Sequence, residues 1–206
     1  EDIKKLILIF RAINSLGDDN LLAETLYIDF LNLENLDIYK AFNYPNKRGI
    51  PLFDIIKSKK ALLEAGTEHP EKLIDFRVKI DSWKKVAANK GLLDFFDIIV
   101  RESGFLGYIL TQAGSFDRMA KLDGLFNEAR KLTENHKECG IKDFISYIDI
   151  FKKYEVSIGS RGRNFSGGVR LMTAHKSKGL EFDYVYIVGA HDKHWGGRRQ
   201  RSDFKI

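Results

Sequence analysis

The chain has 206 residues, of which 44% are hydrophobic and 31% are charged, and its formal net charge is +5. This length and composition are sufficient to bury a sizeable core, which excludes a disordered tail. No apolar run approaches the roughly 20 residues that span a bilayer, and the single cysteine, Cys139, cannot form an internal disulfide, so we expect a cytoplasmic protein without membrane contacts.

The first 156 residues are predicted to be helical almost throughout. Apolar residues at helical spacing predict a first helix over about residues 3–16, and Gly17, Asp18 and Asp19 then predict its end and a new N-cap. The further predicted helices cover residues 19–31 and 34–42, a short helix from Leu52, a longer helix capped by Thr67 and ending at Gly91, and residues 92–102, 105–112, 115–136 and 142–154. We interpret their aromatic stripes as core.

A change of structural class is predicted after these helices. Residues 157–168 mix small, polar and cationic residues without an apolar period, which indicates a linker. The segments VRLMT (169–173) and YVYIV (184–188) are β-branched and aromatic, which predicts two short parallel strands. The expected fold is therefore mainly α, with a helical domain over 1–156 and an incomplete α/β segment over 169–206. Ligands of open α/β sheets bind at strand ends, so the turn HKSKGLEF between the strands is the predicted site.

Charge is unevenly distributed along the chain. Residues 157–206 contain ten Lys/Arg against four Asp/Glu, whereas residues 1–156 contain 24 against 25. A concentration of basic residues favours a polyanion as partner, because each neutralised phosphate releases condensed counterions. The alternative is a solubilising surface.

The run from Val169 to Gly189, VRLMTAHKSKGLEFDYVYIVG, resembles motif V of the UvrD, Rep and PcrA family of superfamily 1 DNA helicases. The shared core is Thr-x-His-x-x-Lys-Gly-Leu-Glu-Phe, from Thr173 to Phe182. In this family a helical insert, domain 2B, precedes motif V of domain 2A, which is a RecA-like P-loop NTPase domain. The resemblance therefore implies a 2B-like domain over residues 1–156, part of a 2A domain over 169–206, and a 2B-like stretch at Ser103-Gly104-Phe105-Leu106.

The resemblance implies DNA contacts at Thr173 and His175, with Lys176 adding charge beside them. A hydroxyl and an imidazole N–H can donate hydrogen bonds to the phosphates of a single strand. Without the resemblance, these would be interpreted as surface residues, with Thr173 capping the turn.

The same turn is expected to contact the nucleotide. Glu181 resembles the family's carboxylate that accepts a hydrogen bond from the ATP ribose, Lys178 matches the family's lysine, and Gly179 allows a close backbone approach. The alternative for Glu181 is an ion pair with Lys178, contributing less than ~1 kcal/mol.

Three arginines are further candidate DNA contacts. The segment Arg48-Gly49-Ile50 resembles the Arg-Gly-Ile-Gly element with which some 2B domains hold duplex DNA, but Pro51 replaces the second glycine. The alternative is an ordinary turn before a Pro-started helix. Arg198 and Arg199 belong to a basic cluster that either contacts the DNA backbone or is solvated.

Several parts of a helicase motor are absent from this sequence. It contains no GxxxxGK[ST] phosphate loop, no acidic metal-binding motif and no motif VI. The resemblance therefore implies a fragment of an ATP-dependent, 3′ to 5′ translocating DNA helicase that serves repair or recombination. ATP and Mg²⁺ would be the cofactors of the full-length protein.

The partners implied are single-stranded DNA and junctions of single-stranded and duplex DNA. The chain alone is expected to be inactive in ATP hydrolysis and to hold no catalytic residue and no metal, since the HDKH cluster at 191–194 lacks a ligand spacing. Exposed strand edges would favour a homodimer. The alternative function is a non-enzymatic helical module that binds DNA or protein.

Overall fold

A computed structural model describes residues 1–44, 49–136, 138–154 and 172–189. The chain divides into two compact units, Glu1–Asn164 and Phe165–Ile206. The α-helices of the described residues are α1 Asp2–Asn14, α2 Asp19–Leu26, α3 Asn35–Asn43, α4 Leu52–Ile55, α5 Lys59–Glu64, α6 Pro70–Asn89, α7 Leu92–Glu102, α8 Phe105–Thr111, α9 Ser115–Asn135, α10 Ile141–Lys153 and α11 Ala174–Ser177. None of these helices is long and apolar enough to cross a membrane.

The core of the first unit is centred on α1, which packs against α2, α6, α9 and α10. One face of α1 carries apolar residues at helical spacing that are fully buried, including Ile9 and Phe10. The Phe10 ring lies 5.2 Å from Phe95, 5.4 Å from Phe96 and 6.3 Å from Phe144, measured between ring centroids. These are distances at which aromatic pairs attract each other beyond their burial. The predicted aromatic core is therefore confirmed.

The long helix α6 begins at Pro70 with His69 at its N-cap position, and the His69 side chain makes no capping hydrogen bond. Thr67, the predicted N-cap, instead donates its hydroxyl proton to the carbonyl oxygen of Leu62 at 2.9 Å. Asp37 of α3 accepts hydrogen bonds from the backbone N–H groups of Glu68 and His69, both at 2.8 Å. The cap prediction was wrong because His69, not Thr67, occupies the N-cap position, and the residues before α6 are held by a side chain from a helix about 30 residues earlier in the chain.

Helix boundaries elsewhere agree with the predictions except near short elements. Asp18 caps α2 as predicted, but α2 ends at Leu26. A 3-10 turn over Asp29–Leu31 follows, and it ends at Asn32 in the left-handed conformation with φ 53°. Helix α5 was not predicted, and the Ser58 side chain caps it.

The predicted pair of parallel strands is wrong for the residues that the structure describes. Residues 169–171 lie outside them, and residues 172 and 173 form no strand. The segment 184–188 also forms no strand, and its side chains are 60% to 87% exposed. A strand is held by hydrogen bonds to a neighbouring strand, and the described part of the chain supplies no such neighbour. The mainly α class is consistent with the structure, whereas the α/β part is not.

Candidate functional site

The predicted site lies on a one-turn helix and the turn that follows it. The N–H of Ser177 donates to the carbonyl oxygen of Thr173 at 3.1 Å, and its hydroxyl donates to that of Ala174 at 2.9 Å. The N–H of Leu180 then donates to the carbonyl oxygen of Ser177 at 3.0 Å. These local bonds fold residues 173–180 into helix α11 and a closing turn, so the expected strand end is replaced by a helix.

Gly179 is required by the shape of this turn. Its φ is +81°, in the left-handed region that costs an L-residue roughly 1–2 kcal/mol. No heavy atom lies within 4 Å of the position that a Cβ would occupy. The glycine therefore serves the backbone conformation, and the space beside it is open.

The candidate side chains on this turn are exposed rather than packed. Thr173, His175, Lys178 and Glu181 are all exposed, and the backbone of Lys176 belongs to α11. Within the described residues, no ion pair joins Lys178 to Glu181. The structure thus brings hydroxyl, imidazole, ammonium and carboxylate groups together within nine residues, on a surface that a ligand can reach.

The candidate arginines Arg48, Arg198 and Arg199 lie outside the described residues, as does the HDKH cluster at 191–194. Within the described ranges, no group of three His, Cys, Asp or Glu side chains could hold a metal ion.

The residues beside Arg48 are described and form a turn before α4. Gly49 has a φ of +67°, and Pro51 occupies the N-cap position of α4. The N–H of Leu52 donates to the Oδ2 atom of Asp19 at 2.9 Å. A helix that begins directly after Pro51 agrees with the alternative interpretation of this segment.

A buried cation fixes α4 to α6. The guanidinium carbon of Arg77 lies 3.3 Å from the centroid of the Phe53 ring, and its Nε atom donates to the carbonyl oxygen of Phe53 at 3.2 Å. Arg77 also forms an ion pair with Asp81. Burial lowers the pKa of the Arg77 guanidinium. Stacking of this kind stabilises the fold, and we assign it no ligand.

Sequence reasoning missed a group of exposed lysines around the start of α5, namely Lys57, Lys59 and Lys60. The near-neutral total charge of residues 1–156 concealed this local concentration. Charge summed over a shorter window of the sequence would have revealed it.

Comparison with known proteins gives a match over nearly the whole chain. The family model described as the UvrD-like helicase C-terminal domain matches residues 1–200. An ATP-dependent helicase/nuclease subunit from Bacillus cytotoxicus is 31% identical over 187 residues, which are 88% of this chain and 15% of that protein. The protein of the same description from Anoxybacillus flavithermus is 32% identical over 139 residues, 66% of this chain and 11% of that protein. The chain therefore spans a small part of the length of these relatives.

Proposed function

The chain belongs to the UvrD-like helicase C-terminal domain family, and from this premise we propose that it is part of an ATP-dependent DNA helicase acting in the cytoplasm. The proposed parent translocates 3′ to 5′ on single-stranded DNA and unwinds duplex DNA in repair or recombination. The observation that carries the proposal is the motif core at 173–182, displayed on an exposed turn within a chain that matches the family over residues 1–200.

The DNA contacts are proposed to lie on α11 and beside it. Thr173 and His175 are exposed residues, and a hydroxyl and an imidazole N–H can both donate to phosphate oxygens. Lys176 adds a positive charge to the same short helix. Contacts of this kind hold the strand without reading its sequence, as a translocating enzyme requires.

The nucleotide contact is proposed for the second half of the turn. The exposed Glu181 carboxylate suits a hydrogen bond from a ribose hydroxyl, and the open space beside Gly179 admits a ligand. Lys178 would lie near the phosphates. ATP with Mg²⁺ supplies the free energy of hydrolysis, and the residues that hold its phosphates would come from other parts of the parent protein, because this chain contains no phosphate loop.

The domain assignment is part of the proposal. We assign the helical residues 1–156 to a 2B-like domain, residues 157–168 to a linker and residues 169–206 to a 2A-like segment. Arg198 and Arg199 are proposed backbone contacts. A duplex contact at Arg48 is proposed as well, with the Pro-started helix at Leu52 as the observation that favours an ordinary turn.

Self-association of the isolated chain is also proposed. The five apolar residues 184–188 form a continuous exposed segment of high β-propensity. Such a segment pairs readily with another chain, because its backbone groups lack strand partners. In the parent helicase, the remainder of the domain would cover it.

The proposal is tested with the parent helicase on duplexes that have a single-stranded tail. We expect ATP-dependent strand displacement on a 3′-tailed duplex and little on a 5′-tailed one. We expect His175→Ala to weaken DNA binding and Glu181→Gln to raise the KM for ATP while DNA affinity is unchanged. Displacement that prefers the 5′ tail would refute the polarity, and a His175→Ala variant with unchanged DNA affinity would refute the proposed DNA contact.

A further inference from the structure

Three exposed lysines lie within four residues of each other where α4 passes into α5. Lys57 precedes the Ser58 cap, and Lys59 and Lys60 are the first two residues of α5. Their side chains form no ion pair and no hydrogen bond within the described part of the chain. Three positive charges are therefore held close together and available to a partner.

Two other lysines of the same unit are engaged. Lys40 pairs with Glu68, and Lys72 pairs with Glu34 at 2.8 Å. The acidic residues nearest in sequence to the three lysines are Asp54 and Glu64. Within the described residues neither forms an ion pair with them, and the Oε2 atom of Glu64 accepts a hydrogen bond from the Tyr44 hydroxyl at 2.6 Å. The three lysines thus lack the local neutralisation that these other lysines have.

The charge of the surrounding sequence shows the same contrast. Residues 47–60 contain five Lys/Arg and one acidic residue, Asp54, for a net charge of +4. The remaining residues of 1–156 contain 19 Lys/Arg against 24 Asp/Glu, for a net charge of −5. This segment is therefore a basic region on an otherwise acidic helical unit.

The positions of Lys59 and Lys60 do not favour the stability of α5. Both lie in the first turn, and that turn contains no acidic residue. The free N–H groups of a first turn carry partial positive charge and disfavour cations. A placement that opposes local helix stability without an internal partner is characteristic of a functional surface.

We propose that Lys57, Lys59 and Lys60 form a contact surface for the phosphate backbone of duplex DNA. This inference rests on the proposed function, because it takes DNA as the partner of the chain. Duplex DNA carries one negative charge per ~1.7 Å of its axis, so three neighbouring ammonium groups can each meet a phosphate. The contact is independent of the DNA sequence, and it uses other residues than the turn that contains His175.

The test measures duplex binding by fluorescence anisotropy from about 50 to 200 mM salt. The test variant carries Lys57→Gln, Lys59→Gln and Lys60→Gln. The matched control carries Lys85→Gln, Lys121→Gln and Lys142→Gln, which remove the same charge from exposed positions elsewhere in the unit. A variant with arginine at all three test positions retains the charge.

Each phosphate contact contributes about 0.9 to the slope of log affinity against log salt, so the test variant should lose a slope of about 2.7. When salt is raised fourfold, the duplex affinity of the unmodified chain should therefore fall roughly 40 times more than that of the test variant. The control and arginine variants should keep the original slope. An unchanged slope in the test variant, or an equal decrease in the control, overturns the inference.

The same measurements separate the two proposals. If the test variant keeps the original slope while His175→Ala still weakens binding to single-stranded DNA, the proposed function stands and the lysine surface is refuted. If the unmodified chain binds no DNA even at the lowest salt concentration, the lysine surface and the proposed DNA contact of His175 both fail in this chain, and the helicase assignment then rests on the parent protein.

Discussion

Replacing Asp37 with alanine removes the acceptor that holds the two residues directly before the long helix α6. The two carboxylate oxygens accept from the N–H groups of Glu68 and His69 at 2.8 Å each, directly before α6 begins at Pro70. Asp37 is only 2% exposed. Its loss therefore breaks two charge-assisted hydrogen bonds and also the link between α3 and α6.

The expected cost follows from these contacts. A hydrogen bond to a charged group contributes about 1.5–3 kcal/mol, but Glu68 and His69 are exposed, so water can satisfy their N–H groups in the variant. We therefore expect Asp37→Ala to cost about 2–3 kcal/mol in the free energy of unfolding. Asp37→Asn retains one oxygen acceptor and should cost roughly half as much. Thr67→Val, which removes the single buried bond to Leu62, should cost about 1 kcal/mol.

Urea unfolding of the three variants tests this order at constant m-value. For a chain of this size, the Asp37→Ala variant should also show a decrease in Tm of about 4–12 °C. If Thr67→Val costs more than Asp37→Ala, or if Asp37→Ala costs less than ~1 kcal/mol, then Asp37 does not anchor the start of α6.

Three further outcomes are expected. Phe10→Ala should lower the free energy of unfolding, measured in urea, by about 3–5 kcal/mol, because the ring lies between three other aromatic rings. As a control, Leu36→Ala, at a residue 56% exposed, should change it by no more than about 0.5 kcal/mol. Burial is the largest single influence on the Lys5–Asp29 pair and disfavours both charges, but the hydrogen bonds and Coulombic attraction of the pair, together with Tyr108, outweigh it, so the pKa of Asp29 is lowered and that of Lys5 is raised. The stabilisation from Asp29 is thus present above pH ~4 and lost as the pH falls below it, a loss that acid titration of Asp29→Asn should lack. Tyr186→Lys should keep the chain monomeric in light scattering at concentrations where the unmodified chain associates, and an unmodified chain that is monomeric throughout would refute the proposed self-association.

Helical periodicity predicted the first unit well because burial and spacing agree there. The apolar stripe that contains Phe10 is the one that the structure buries, and the aspartate after Gly17 caps α2 as predicted. Helix α5 was missed because six residues are too few to show a period. The anchor before α6 was missed because local sequence cannot show that the Asp37 side chain reaches backbone groups about 30 residues away.

The second unit shows that β-propensity alone does not determine whether a segment forms a strand. Residues 184–188 have strong β-propensity, yet the described chain offers no neighbouring strand and they form none. The motif core at 173–182 was recognisable because its residue types and spacing are distinctive, although its placement on α11 was not foreseen. Residue identity therefore predicted the family, whereas the backbone conformation depends on neighbouring strands that the described residues do not supply.

The binding of single-stranded DNA by the 206-residue chain tests the central claim most directly. Fluorescence anisotropy would compare the unmodified chain, His175→Ala and, as a control, His136→Ala, which removes an exposed histidine from the helical unit. Loss of one hydrogen bond to a phosphate should weaken binding roughly three- to tenfold in His175→Ala and leave His136→Ala unchanged. Equal affinities of all three proteins would contradict the placement of DNA on the turn that contains His175.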